Sequence, residues 1–256
     1  MAIFRDEKDI ETLRESGRRL AFVVGEVVKR AKPGVSEEEL DAYAEKLILK
    51  GGDTPAFKGY RPSGTRSPYP ATICIQTNDK VVHGIPTNYI LKEGDIVVID
   101  TGLQHQGFFT DMAVTIPVGK VDAVAQKLIT ATRDALYAGI KEARAGNRLG
   151  DIGHAVEAVI KKAKFSIVPE FGGHGVGKRQ HEDPFIANYG RKNTGPLIEE
   201  GLTIAIEPIV NEGSARVIFE KDGHTVRTYD GKLSAQFEHT ILVTKEGPEI
   251  ITDLKG

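Results

Sequence analysis

Four carboxylates sit in or at the end of apolar, strand-like runs, where an isolated charge is costly. Asp100 ends Gly94-Asp-Ile-Val-Val-Ile-Asp100, Glu207 ends Gly201-Leu-Thr-Ile-Ala-Ile-Glu207 just before Pro208, and Glu238 lies inside Ala235-Gln-Phe-Glu-His-Thr-Ile-Leu-Val243. Asp111 follows Asp100 across the segment Gly102-Leu-Gln-His-Gln-Gly107. A hairpin centred between His105 and Gln106 sets the two aspartates directly opposite each other on one face. Two carboxylates held so close need a cation, a shared proton or full exposure. From this pair alone, two solvated aspartates are an equal alternative. Glu207 and Glu238 shift the balance, because both belong to apolar strands. Period two puts Glu238 on a face with Gln236 and Thr240, with Phe237, His239, Ile241 and Val243 on the other. Burying four carboxylates unneutralised costs several kcal/mol per ion, whereas two divalent cations cancel the four charges.

Among the seven histidines, His174 stands in Phe171-Gly-Gly-His-Gly-Val-Gly177, where small neighbours let a ligand approach the ring. It is the candidate metal ligand. A phosphate cradle is poorly supported, since the GxGxxG spacing and a following lysine with a helix start are both missing. His83, in Val81-Val-His-Gly-Ile-Pro86, and His181 lie in loop-like segments, where a structural or exposed role is as common as a functional one. His239 reads as a core histidine, His105 as solvated at the hairpin tip, and His154 as a surface residue on the polar side of its helix. Cys74 is the single cysteine, so an intrachain disulfide and a Cys-rich zinc site are excluded and any metal must use His and carboxylates.

The elements that position these groups follow from periodicity. Ile10, Leu13, Leu20, Val23, Val24 and Val27 recur at helical spacing from about Asp6 to Lys32, and Pro33-Gly34 ends the run. Ser36 with Glu39 forms a capping box for a second helix, carried by Leu40, Tyr43, Ala44 and Leu47 as far as Gly51-Gly52. The two-helix pattern returns over about 122–144 and 151–164, where Ile152, Ala155, Val156 and Val159 repeat the earlier quartet. The strands ending in Asp100 and Glu207 match in order as well. Further strands are expected at Ile73–Thr77, Thr110–Val118 and Phe237–Thr244, and one long irregular loop at Lys58–Pro70. These features predict an α+β fold made by internal duplication, a single domain over 1–256 with repeats of approximately 6–120 and 121–256, its sheet covered by helices on one side.

The 256 residues are 40% hydrophobic, with 34 basic against 36 acidic side chains and a net charge of −2. This is a globular composition and disfavours a polyanion-binding domain, a disordered acidic tail and a coiled coil. Neither a run of ~20 apolar residues nor a basic-then-apolar start is present. A cytoplasmic protein with no membrane and no DNA partner is the expectation.

Taken together, Cys74-Ile-Gln-Thr-Asn-Asp-Lys-Val-Val-His-Gly-Ile-Pro86, the Asp100/Asp111 pair, Gly173-His-Gly-Val-Gly177 with His181-Glu-Asp-Pro184, Ile206-Glu-Pro208 and Ser234-Ala-Gln-Phe-Glu-His-Thr240 resemble the motif set of bacterial type I methionine aminopeptidases. The match runs in order over nearly the whole chain. The resemblance implies the pseudo-twofold pita-bread fold, an antiparallel sheet covered by two pairs of helices. It also implies two divalent metal ions (Co, Mn, Fe or Zn) on Asp100, Asp111, His174, Glu207 and Glu238, with Asp111 and Glu238 bridging. The implied activity is hydrolysis of the N-terminal methionine from nascent proteins whose second residue is small. Metal-bound hydroxide would attack the scissile carbonyl, Glu207 would move the proton, His181 would donate to the oxyanion and His83 would position the amide. Phe57, Tyr60, Tyr69, Cys74 and His83 would line the methionine pocket, with His224 at its rim. The implied partners are nascent polypeptide N-termini, with the ribosome as a candidate place of encounter, and the chain would act as a monomer.

Three features depart from the family pattern. Gln180 replaces a frequent aromatic residue, His224 replaces a frequent tryptophan, and the loop between Tyr60 and Tyr69 is longer than usual. All three are expected near the substrate entrance. Proline-specific aminopeptidases and prolidases share the five ligands but usually carry an additional N-terminal domain, whereas here the first helix starts within ten residues of Met1. A type II enzyme would carry an insertion between His181 and Glu207. A binding-only relative would have lost ligands, and all five are present.

Overall fold

The computed structural model describes residues 2–61 and 67–254. The first helix, α1 (Glu7–Arg30), is capped by Asp6, whose carboxylate accepts from the Lys8 and Asp9 N–H groups. The Ser36/Glu39 box opens α2 (Glu37–Lys50), and Asp122 caps α3 (Ala123–Glu142) by accepting from Ala125 N–H. The fourth helix, α4 (Leu149–Ala163), stops at Lys164 in the left-handed conformation, φ 63°. None of these helices is long and apolar enough to cross a membrane.

The strands among the described residues are β1 (Thr54–Pro55), β2 (Cys74–Thr77), β3 (Lys80–Val82), β4 (Ile96–His105), β5 (Phe108–Pro117), β6 (Ser166–Ile167), β7 (Gly173–Gly175), β8 (Glu182–Ile186), β9 (Thr203–Ile206), β10 (Ile209–Asn211), β11 (Val217–Phe219), β12 (Val226–Thr228), β13 (Ser234–Gln236), β14 (Glu238–Val243) and β15 (Pro248–Ile250). Nine of them form one antiparallel sheet in the order β1-β4-β5-β14-β9-β7-β8, with β2 added to β4 and β15 to β14. The small sheets β13-β10-β6 and β11-β12-β3 stand beside it. Helices α1 and α3 pack on the large sheet, with α2 and α4 beside them. Leu20, Val24, Ile99, Leu103, Met112, Leu128, Ile152 and Ile206 join in one core cluster between the layers. The class is α+β, as the periodicity predicts.

Register decides which side chains share the opposite face. The β4–β5 hairpin turns at Gln106 (φ 47°) and Gly107 (φ 83°), the two positive-φ positions of a tight two-residue connection. Its centre thus lies one residue beyond the expected one. Asp111 faces Gly102, and Asp100 faces Ala113, so the two aspartates are diagonal rather than directly opposite. Moving the centre by one residue moves every partner by two, so both acids keep the same face. Glu238 also pairs with Ala113, and His239 pairs with Ile206, which leaves Glu207 on the side of Glu238. Because Gly175 pairs with Ile204, His174 joins the same face.

His105 departs from its expectation. It is buried, with Nδ1 2.6 Å from Asp53 Oδ1, because β1 pairs with Leu103 and Gln104 and covers the hairpin tip. His239 is buried, with Nδ1 3.0 Å from Thr252 Oγ1, and His154 is half-buried on α4.

Gly173 permits the close approach that brings His174 in. A Cβ there would run into the Ala205 carbonyl oxygen and crowd Ile186. Gly173→Ala should therefore destabilise the fold by about 3 kcal/mol, the upper end for overpacking, or roughly 10 °C in melting temperature for a chain of this size. Calorimetric melting tests this, and an unchanged transition contradicts it.

Candidate metal centre

The five expected donors meet at the floor of a cleft of about 430 Å³. His174 Nε2 lies 3.8 Å from Asp111 Oδ2 and 3.9 Å from both Glu207 Oε1 and Glu238 Oε1. Three sets of donor atoms each fall within 4.8 Å of one another: Asp100, Asp111 and Glu238; His174, Glu207 and Glu238; and Asp111, His174 and His181. Asp111, His174 and Glu238 each belong to two sets.

Burial is the first cause of every shifted pKa here. Desolvation pushes Asp100, Glu207 and Glu238 well above the usual carboxylate range, and the neighbouring carboxylate charges push in the same direction. Asp111 is raised to about 7 by the same desolvation, opposed by the N–H of Met112 and the amide of Gln180. Desolvation lowers His174 to about 4. Its ring is therefore neutral, and with Nδ1 2.9 Å from the Gly175 carbonyl oxygen the proton belongs on Nδ1, which turns the Nε2 lone pair toward the acids. Glu238 Oε1 is buried with no hydrogen-bond partner among the described residues. Four acids held above their normal pKa, a bare oxygen and an imidazole lone pair aimed at them are a donor set that fits divalent cations.

His181 reaches solvent through the cleft mouth, yet its ring lies against the His174 ring at 4.3 Å, and desolvation followed by that neighbour lowers its pKa. Its Nδ1 is 3.0 Å from Tyr60 Oη. Burial raises the Tyr60 pKa, so the phenol keeps its proton, and in the tautomer with N–H on Nε2 it is the donor to Nδ1. His83 opens onto the cleft in a left-handed conformation, φ 55°, with its ring edge-on to Phe171 at 5.8 Å and its pKa lowered by desolvation to about 4. Phe57, Tyr60, Tyr69, Cys74 and His224 all line the cleft. Tyr69 Oη is anchored on the Gly84 and Ile73 carbonyls, and the His224 ring stands edge-on to Tyr69 at 5.4 Å.

Gln180 is not at the entrance. It is 3% exposed and donates to Asp111 from behind the cleft. The long loop falls partly on residues 62–66, outside the described residues. Two further glutamines went unassigned in the sequence. Gln76 donates to Asp100 at 3.5 Å, and Gln236 donates to Glu207 at 3.2 Å. Period two already put Gln236 beside Glu238, and it puts Gln76 beside Cys74. Phe171, Phe185 and Phe219 also line the cleft, from separate segments and with no local pattern to mark them.

The chain matches the model of metallopeptidase family M24 over residues 11–245. The chain belongs to family M24. Within it, the chain is 44% identical over 252 residues to methionine aminopeptidase 1 of Bacillus subtilis (strain 168), covering 98% of this chain and 99% of the relative. The crystal structure of methionine aminopeptidase from Thermotoga maritima superposes with a TM-score of 0.94 at 39% identity, covering 99% of this chain and 100% of that one. The methionine aminopeptidase from Rickettsia prowazekii gives 0.94 at 38%, with the same coverage. The prolidase from Pyrococcus horikoshii OT3 shares the fold alone, with a TM-score of 0.75 at 22% identity, and this chain spans 64% of it.

The raised carboxylates of this M24 centre make metal-free stability depend on pH. An acid whose folded pKa is raised binds more protons folded than unfolded, so its contribution is complete below about pH 4 and is lost as pH rises through the folded value. His83, His174, His181 and His239 have lowered pKa values and oppose this up to their ordinary pKa of about 6.5. From there to about pH 8 the carboxylates dominate, since the raised Cys74 thiol and the tyrosines act at higher pH. Metal-stripped protein should lose stability between about pH 6.5 and 8, by at most ~1.4 kcal/mol per pH unit for each group still titrating. Saturating Mn²⁺ should abolish the slope. Denaturant unfolding across this range checks both, and metal-free stability that rises with pH contradicts the buried-acid cluster.

Proposed function

We infer that the chain is a methionyl aminopeptidase that hydrolyses the N-terminal methionine from polypeptides whose second residue is small. The carrying observation is the five-donor cluster at the floor of an apolar-walled cleft, within a chain that aligns nearly end to end with methionine aminopeptidases. Asp100, Asp111, His174, Glu207 and Glu238 would hold two divalent cations, their donor atoms falling in overlapping sets. One imidazole among four carboxylates is a hard set that suits Mn²⁺, Fe²⁺ or Co²⁺ as well as Zn²⁺. Bound there, the cations supply Lewis-acid polarisation and a lowered pKa for water.

The chain's own residues do the rest. Glu207 takes the proton of the attacking water and returns it to the leaving nitrogen. The Nε2–H of His181 donates to the oxygen that gains charge, and the Tyr60 hydroxyl on Nδ1 holds it in that tautomer. His83 positions the scissile amide. Phe57, Tyr69 and Cys74 wall the thioether, Cys74 as a small, polarisable surface, and His224 closes the rim. A second residue of large size is refused by steric exclusion at the mouth. Nascent chains are the substrates, met in the cytoplasm and at the ribosome, and the protein acts as a monomer. Residues 6–120 and 121–256 each provide two helices and a strand run leading into an acid, which supports the reading of one duplicated catalytic domain.

With Mn²⁺ or Co²⁺ present, Met-Ala and Met-Gly peptides should be cleaved, Met-Lys and Leu-Ala refused, and Ala-Pro left intact. Preference for Ala-Pro over Met-Ala would move the chain to the proline-specific branch. His181→Ala should lower kcat by about 10²–10³, the cost of losing one oxyanion donor, at unchanged metal content. Full turnover in that variant rules out the donor role.

A further inference from the structure

Gln180 stands immediately before His181 and points the other way. The loop carrying both is pinned at each end: the Phe109 N–H donates to the Gly177 carbonyl at 2.7 Å, and the Lys178 and Arg179 N–H groups both donate to Glu182 Oε1, at 2.9 and 3.0 Å. His181 is thereby presented to the cleft and Gln180 to the sheet. The Gln180 amide sits over Gly102, the residue paired with Asp111 across the hairpin. A Cβ on Gly102 would lie 3.0 Å from both Nε2 and Oε1 of Gln180, so the amide fills space that only glycine leaves open there.

Its Nε2 donates to Asp111 Oδ2, while Asp111 Oδ1 accepts from the Met112 N–H at 3.0 Å. Each carboxylate oxygen then has one lone pair occupied by an N–H and one left over. That is the arrangement a ligand shared between two cations requires. The price of this seat is the Gln180 Oε1 atom, buried with no partner among the described residues. An apolar side chain of equal length would fill the space without that cost, so packing does not account for the amide.

We propose that Gln180 is a positioning residue of the metal centre. Its N–H holds the Asp111 carboxylate in one orientation for the cations and ties the loop bearing His181 to that ligand. The proposal rests on the metallopeptidase reading and adds to it a residue outside the ligand set.

The test compares metal-stripped wild type with Gln180→Met, which keeps length and shape without a donor, and with Gln180→Leu. Three quantities are measured: Mn²⁺ affinity by calorimetry, the visible spectrum of the Co²⁺-loaded protein, and the melting temperature of the metal-free protein. Both variants should melt with the metal-free wild type, bind Mn²⁺ about 10- to 100-fold more weakly, the usual cost of removing a partner behind a ligand, and shift the Co²⁺ bands. Wild-type affinity and spectrum in Gln180→Met overturn the proposal. So does a lowered melting temperature with unchanged affinity, which assigns the residue to structure alone. A wild-type chain that takes up neither ion overturns the metal-centre reading itself and this proposal with it.

Discussion

Like charge held out of water on one face of one sheet is the constraint on which the rest of the structure depends. Asp100, Asp111, Glu207 and Glu238 sit together where desolvation and mutual repulsion both oppose ionisation. Hydrogen bonds from Gln76, Gln180, Gln236 and the Met112 N–H offset only part of that cost. The opposite face of the same strands supplies the compensating burial, with Ile99, Leu103, Met112, Ile206 and Ile241 packed in one core beneath the helices. The sheet works as a two-sided device, apolar and close-packed behind, acidic and unsatisfied in front. Its affinity for cations is the other side of its cost when empty.

Around that centre, short hydrogen bonds settle chemical identity rather than stability. The His174 and His181 rings are both neutral and 4.3 Å apart, and each has Nδ1 on a different partner. The Gly175 carbonyl keeps the proton of one on Nδ1, and the Tyr60 hydroxyl occupies Nδ1 of the other. The first ring thus offers its Nε2 lone pair to the acids. Three glutamines repeat this logic for the acids, Gln76 on Asp100, Gln180 on Asp111 and Gln236 on Glu207, each giving one N–H to a carboxylate oxygen.

The walls of the cleft are different material. The prolidase of Pyrococcus horikoshii shares this fold at 22% identity, and in this chain aromatic side chains wall much of the cleft. Those walls come from many short segments. Phe57, Tyr69 and Cys74 belong to one small cluster, Phe171 precedes β7 and Phe185 lies within β8, and Phe219 ends β11 and is 68% exposed.

Much of this was legible in the residues. The helices follow from Leu13, Leu20, Val24 and Val27 at helical spacing and from the Ser36/Glu39 box, because amphipathic period and end capping are local properties. The four acids followed from their apolar strand contexts, since solvation cost is read from immediate neighbours. The pairing was not legible to the residue. The turn fell at Gln106-Gly107 instead of His105-Gln106, and only the even parity of the resulting shift kept Asp100 and Asp111 on one face. His105 became buried because β1, some fifty residues earlier, covers the hairpin tip. Gln180 turned behind Asp111 because Gly102, on a strand far away in sequence, leaves room for its amide. The sequence alone determined which residues prefer helix or strand and which acids need neutralising. The tertiary structure alone decided which atoms meet, because those contacts join segments that share no local signal.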